Sequence, residues 1–161
     1  MSSYFFLADL HAIIKQTNPN EIKVSVNEVA LAWLSSGLDP EKSFFYRQSN
    51  IPEITELAWI LSCVTAKGLI NRSHAYKAAV QLNHDHTKDE DKGISMGLFS
   101  YPVLMAADIL MFNSSHVPVG KDQLQHLEIT RDIAEKFNHQ YGNTFVIPEA
   151  IINKDGKFCL L

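Results

Sequence analysis

One carboxylate stands in the most apolar stretch of the chain: Asp108, in YPVLMAADILMF at residues 101–112. No cationic residue lies within four positions of it on either side. An ionised carboxyl in apolar surroundings is costly unless something pairs with it. At helical spacing Tyr101, Met105, Asp108 and Phe112 share one face, in steps of four, three and four. Two readings follow. Asp108 is a structural acceptor for a neighbouring helix or a distant cation. Alternatively it is aimed at a ligand donor, with Tyr101 and Met105 as apolar walls. The second arrangement suits a flat, mostly apolar molecule that carries one N–H or O–H.

A second group of residues is VPVGKDQ, residues 117–123. Gly120 frees the backbone, and Asp122 and Gln123 open the helix that follows. Amides at a helix start can hold polar or anionic ligand groups. Asp122 is equally suited to be a plain N-cap. The stretch is not a phosphate-binding P-loop, since the Gly-rich run and the Lys-Ser/Thr pair are missing. A third pair, Asp9 and His11, directly follows the apolar run YFFLA at 4–8. That is a favoured ligand position, or ordinary loop polarity. HDH at 84–86, with Asp89 and Asp91, has the residue types of a metal site. It lies in NHDHTKDEDKG (83–93), which has no apolar support to fix ligand geometry, so a mobile surface loop is expected and a metal site is not. Trp33 and Trp59 read as core or interface. No Ser-His-Asp or Cys-His arrangement can be argued from spacing, and no catalytic side chain is assigned.

The elements that must position these residues alternate. YFFLA and SFFYRQ (43–48) read as buried strands. Between them Ile22, Val26, Val29, Ala30 and Trp33 recur at helical spacing from about Asn20 to Ser36, with Gly37 as the stop. Pro52 begins a helix carrying Ile54, Leu57, Ala58, Leu61 and Val64 on one face, closed by Gly68. A helix at 71–82 follows, then a helix entered near Pro102, a short strand at 116–120, a helix at 122–140 striped by Leu124, Leu127, Ile133, Ala134 and Phe137, and a last strand at 144–148. Strands alternating with helices predict an α/β fold with a mainly parallel sheet flanked by helices. Ligands of such sheets bind beyond the carboxyl ends of strands, which selects the segments after 4–8 and after 116–119.

Length and composition set the bounds. The 161 residues suit one domain with a sizeable core. A formal net charge of −4 argues against a strongly basic nucleic-acid module. Cys63 and Cys159 are far apart and in no metal-like spacing, as expected of reduced thiols. No apolar run has membrane-spanning length, and no signal-peptide pattern opens the sequence. A cytoplasmic protein is expected.

Several segments resemble bacterial tryptophanyl-tRNA synthetases, a family of class I aminoacyl-tRNA synthetases. They are FFLADLHAI, GLDPEKSFFYRQSNIPE, AWILSCVTAKGLINRSHAYKA and GLFSYPVLMAADILMF…HVPVGKDQLQHLEITRDIAEKFN, in the same order as in that family. The resemblance spans nearly the whole chain and implies a Rossmann-like catalytic fold, incomplete at both ends, with the anticodon-binding domain absent. It implies a chemistry: tryptophan and Mg-ATP give tryptophanyl-adenylate, and tryptophan then passes to tRNA(Trp). Carried over residue by residue, Asp108 accepts the indole N–H and Met105 packs on the ring. Tyr101 and Gln123 contact the ammonium and carboxylate end, and His11 lines the pocket. Gly120, Lys121 and Asp122 lie along the ATP.

Met105 favours tryptophan over tyrosine, because the related tyrosyl enzymes typically place a Gln near it to read the phenol. Lys121 stands where many bacterial members carry Glu, which points to a backbone contact there. The phosphate-binding motifs His-x-Gly-His and Lys-Met-Ser-Lys-Ser do not occur in these 161 residues, so this polypeptide by itself is expected not to complete adenylation. The resemblance also implies a homodimer. A non-catalytic dimerisation module and a tyrosine-specific relative are the alternative readings.

Overall fold

The computed structural model describes residues 3–86 and 89–152. Cys159 and the KFCLL segment lie outside the described residues. The chain divides into two compact units at the Glu53–Ile54 junction, and each is described by itself.

The first unit is a strand–helix–strand unit. β1 (Tyr4–Leu7) and β2 (Phe44–Arg47) pair in parallel, with Tyr4 opposite Phe44 and Leu7 opposite Arg47. Successive strand side chains alternate between faces. Tyr4 therefore stacks on Phe44 at 4.9 Å and Phe6 on Tyr46 at 5.6 Å, on one face. On the other face Phe5 and Phe45 both meet Trp33, at 6.1 and 5.7 Å. Trp33 belongs to α2 (Pro19–Ser35) and is half-buried where it meets these two rings. Asn18 caps α2 by accepting from the Asn20 N–H at 3.0 Å, and Pro19 occupies the first turn, where a missing N–H costs nothing. At the other end Gly37 takes φ +101°, a left-handed conformation that closes the helix. The Leu38 N–H then reaches the Trp33 carbonyl at 3.1 Å. The short α1 (Asp9–Ala12), directly after β1, is a turn that apolar periodicity does not signal.

The second unit begins within α3 (Pro52–Val64), which buries Ile54, Leu61 and Val64 on the expected face and leaves Trp59 exposed. α3 ends before Gly68, which sits inside a separate short helix, α4 (Lys67–Ile70). α5 (His74–Asp85) runs on into the segment read as a loop. The described part of that loop has a polar anchor in place of an apolar one. The half-amide of Asn83, itself buried, donates to the carbonyls of Glu90 and Lys92 at 2.9 Å each.

α6 (Met96–Leu110) starts six residues before Pro102. Ser95 caps it by accepting from the Leu98 N–H at 3.1 Å, and buried Pro102 is carried in the interior. A strong cap and a deeply apolar face outweigh the one backbone bond the proline omits. β3 (His116–Pro118) and β4 (Glu149–Ile151) pair in parallel through α7 (Leu124–Tyr141). The last strand thus lies just past the expected 144–148. Residues 144–145 are engaged instead by Asn138, whose Oδ1 accepts from both their N–H groups. Among the described residues no helix is long and apolar enough to cross a membrane.

Candidate functional site

α6 and α7 carry most of the candidate residues. Ile109, Val119 and Leu127 form a buried cluster, and Met105, Val117, Leu124 and Ala150 pack against it. Met105 of α6 is thereby seated beside the end of β3 and the start of α7, the segment bearing Gly120 to Gln123. Asp108 follows one turn later and is 4% exposed, inside a helix whose other buried residues are all apolar. One turn before Met105, the half-buried Tyr101 places its hydroxyl 3.0 Å from Nε2 of His126 on α7. Burial pushes the Tyr101 phenol above its usual value of 10, with the Ser73 hydroxyl pulling the other way, so the phenol keeps its proton across the neutral range.

The turn after β3 differs in detail from the expected cap. Residues Lys121–Gln123 form one turn of 3-10 helix, closed by the Gln123 N–H on the Gly120 carbonyl at 3.0 Å. Gln123, not Asp122, holds the cap position of α7, and no side chain caps it. The Asp122 carboxylate accepts from Gln123 Nε2 at 3.0 Å instead, which fixes the Gln123 side chain. Gly120 is buried, Gln123 is half-buried, and Lys121 and Asp122 are exposed. A glycine backbone and an exposed cation that donate, with an exposed carboxylate that accepts, at a helix start are groups that fit a nucleotide's phosphate and ribose.

In the first unit Asp9 is 4% exposed and opens α1. Its Oδ1 accepts from the Ser49 N–H at 3.0 Å, and its Oδ2 accepts from Arg47 Nε. Burial alone would raise this carboxyl. Hydrogen bonds from Ser49 and Arg47, with the Arg47 charge, outweigh that and hold it below the ordinary 3.8. The Leu10 N–H donates to the buried Gln48 side chain at 3.1 Å. Asp9 is thus the keystone that ties the segment after β1 to the segment after β2. His11, half-buried, rides on the α1 turn so fixed.

Tyr101, Met105 and the Gly120–Gln123 turn are thus gathered around the α6–α7 packing, with Asp108 on the same helix face. His11 lies in the other unit. His84 meets Glu90 at 3.8 Å, and among the described residues no group of three or more His, Cys, Asp or Glu is placed to hold a metal ion. His126, Ser73, Arg47 and Ser49 were not reached from the sequence. His126 had a signal: it sits at helical spacing from Thr130 and Ile133, as a polar residue inside an apolar stripe.

The sequence matches the class I tRNA synthetases (W and Y) over residues 1–161, and the chain belongs to that family. Its sheets and helices are part of the Rossmann-like fold of those enzymes. Among its relatives, the tryptophan–tRNA ligase of Pseudomonas putida is 58% identical over 157 residues, and that of Bordetella pertussis is 59% identical over 156, each match covering 96% of the chain. The chain spans about a third of their length, 35% in both. The crystal structure of tryptophanyl-tRNA synthetase from Campylobacter jejuni complexed with ADP and tryptophan superposes with a TM-score of 0.84 at 46% identity, covering 97% of this chain and 47% of that one.

Proposed function

We propose that this chain is the tryptophan-recognising part of the catalytic domain of a cytoplasmic tryptophan–tRNA ligase. The observation that carries the proposal is the Asp108 carboxylate, 4% exposed on the apolar face that also bears Met105 and Tyr101. Asp108 accepts the indole N–H, Met105 packs on the ring, and Tyr101 and Gln123 bind the ammonium and carboxylate end. Gly120, Lys121 and Asp122 lie along Mg-ATP, whose α-phosphorus the tryptophan carboxylate attacks as pyrophosphate leaves. The C. jejuni neighbour, complexed with ADP and tryptophan, supports both ligand assignments. In the whole enzyme the tryptophanyl group then passes to tRNA(Trp). Trp59, 73% exposed on α3, offers the kind of apolar surface that a homodimer contact covers.

The physical argument is selectivity. A hydrogen bond to a buried charged acceptor contributes about 1.5–3 kcal/mol. A site built around such a bond rejects analogues without the donor by far more than a purely apolar pocket does. Calorimetric titration with tryptophan, phenylalanine and a tryptophan analogue with sulfur in place of the indole N–H tests this. Tryptophan should bind roughly 10- to 100-fold more tightly than the sulfur analogue, and Asp108→Ala should erase that preference. Equal affinity for both ligands in the unaltered chain would sink the assignment of Asp108. The polypeptide alone should show no ATP–pyrophosphate exchange, for want of the two phosphate-binding motifs.

A further inference from the structure

A parallel sheet presents its ligands beyond the carboxyl ends of its strands. The sequence singles out Asp9 at that end of β1, and the structure turns it inward. Its side chain is 3% exposed, and its oxygens accept from the Ser49 N–H, the Ser49 hydroxyl and Arg47 Nε. The group that reaches solvent is the Arg47 guanidinium. Arg47 is the last residue of β2, in register with Leu7 at the end of β1, and its side chain is 44% exposed. The charge on offer at this end of the sheet is therefore positive, opposite to the one the sequence suggests.

The chain has three arginines, and they are held differently. Arg72 turns Nη2 to Asp132 at 3.6 Å, and Arg131 turns Nη1 to Glu128 at 3.9 Å. Arg47 is held through Nε, and among the described residues neither of its Nη nitrogens has a hydrogen bond or an ion pair. Its anchor is itself fixed. Ser49 holds Asp9, and the Leu10 N–H holds the adjoining turn to the buried Gln48 side chain at 3.1 Å. Much of the cost of ordering a long side chain is thus met on folding instead of on binding. The Nη1–Nη2 edge carries parallel N–H groups that match two oxygens of one phosphoryl or carboxylate group. Asp9 lies at the Nε side, so an anion on the Nη edge is closer to the cation than to the carboxylate. The net attraction grows with the anion's charge, which favours a phosphoryl group with two or more negative charges over a carboxylate with one. We propose that Arg47, oriented by Asp9, is an oxyanion subsite at the carboxyl end of the β1–β2 sheet, for the phosphoryl group of a phosphate monoester or of pyrophosphate. None of its residues is assigned to the tryptophan pocket, so each reading stands or falls without the other.

The test is heteronuclear NMR of the arginine Nε–H signals in the 161-residue chain, titrated at constant ionic strength with pyrophosphate, inorganic phosphate, AMP and acetate. The Arg47 signal should move saturably with pyrophosphate, more weakly with phosphate and least with acetate. The signals of Arg72 and Arg131, whose terminal nitrogens already face carboxylates, should move little. A response to AMP at least equal to that for phosphate assigns a nucleotide terminus, and a weaker one assigns the free anion; both support the subsite. Arg47→Lys keeps the charge and loses the fork, and should weaken pyrophosphate by about fivefold or more, read from the Ser49 backbone amide. Equal shifts at all three arginines, a shift that grows without saturating, acetate binding as tightly as pyrophosphate, or unchanged affinity in Arg47→Lys overturns the inference. If Arg47→Lys does not fold by circular dichroism, the comparison of the three arginines and the four anions in the unaltered chain decides alone.

Discussion

Replacing Asp9 by asparagine keeps the shape of the side chain and removes its charge. The carboxylate accepts from three donors, the Ser49 N–H, the Ser49 hydroxyl and Arg47 Nε. An asparagine has one acceptor oxygen and one NH2, so one of those donors would face another N–H. A hydrogen bond to a charged group contributes about 1.5–3 kcal/mol. The Arg47 side chain is 44% exposed, so water screens its share to about 1 kcal/mol or less. The expected loss for Asp9→Asn is therefore about 2–3 kcal/mol at neutral pH, most of it from the bonds to Ser49. For a chain of this size that lowers the melting temperature by about 5–10 °C.

The loss should depend on pH with a definite sign. The folded carboxyl lies below its ordinary value, so as pH falls the unfolded chain takes up the proton first. The stabilisation is complete above the unfolded value and disappears as pH drops through the folded one. Circular-dichroism melts of both proteins at neutral pH, and at the lowest pH the fold tolerates, read this out directly. The gap should be full at neutral pH and should narrow in acid. Equal melting temperatures at neutral pH, or a gap unchanged in acid, would refute the reasoning.

Two further outcomes are expected. Asn138 accepts from the Thr144 and Phe145 N–H groups at 3.0 and 2.9 Å and donates to the Phe145 carbonyl at 2.7 Å. Asn138→Ala should cost about 2 kcal/mol in urea denaturation, and Asn138→Asp, which keeps both acceptor bonds, should cost less. In an ultraviolet titration of the phenols, Tyr101→Phe should remove a step that lies above the ordinary value of 10, because burial disfavours the phenolate.

Much of this fold is local in origin. The α2 boundaries follow from Asn18, Pro19 and Gly37, each acting on backbone within a few residues. The strands at Tyr4–Leu7 and Phe44–Arg47 follow from short aromatic runs, and the buried face of α3 from its period. The departures share a cause. Pro102 marks a helix start by propensity, yet the Ser95 cap and the burial of Val103 to Leu110 carry the helix through it. Asp122 has the composition of a cap, yet the 3-10 turn displaces the cap position to Gln123. Propensity is a weak prior where packing supplies more energy than the local preference.

Sequence alone determined which chemistry was available. Asp108 in an apolar helix face, with Met105 and Tyr101 at helical spacing, offered two readings, a structural acceptor or an acceptor for an apolar ligand with a hydrogen-bond donor. The tertiary structure decided what stands around those residues. Asp9 meets Ser49 across 40 positions, Tyr101 meets His126 across 25, and Gln125 grips the backbone on both sides of Ser73 across more than 50. A helix or strand records its own period in its sequence, because its partners lie a few residues away. A hydrogen bond between distant segments leaves no such period, and it exists only once packing has brought the two segments together.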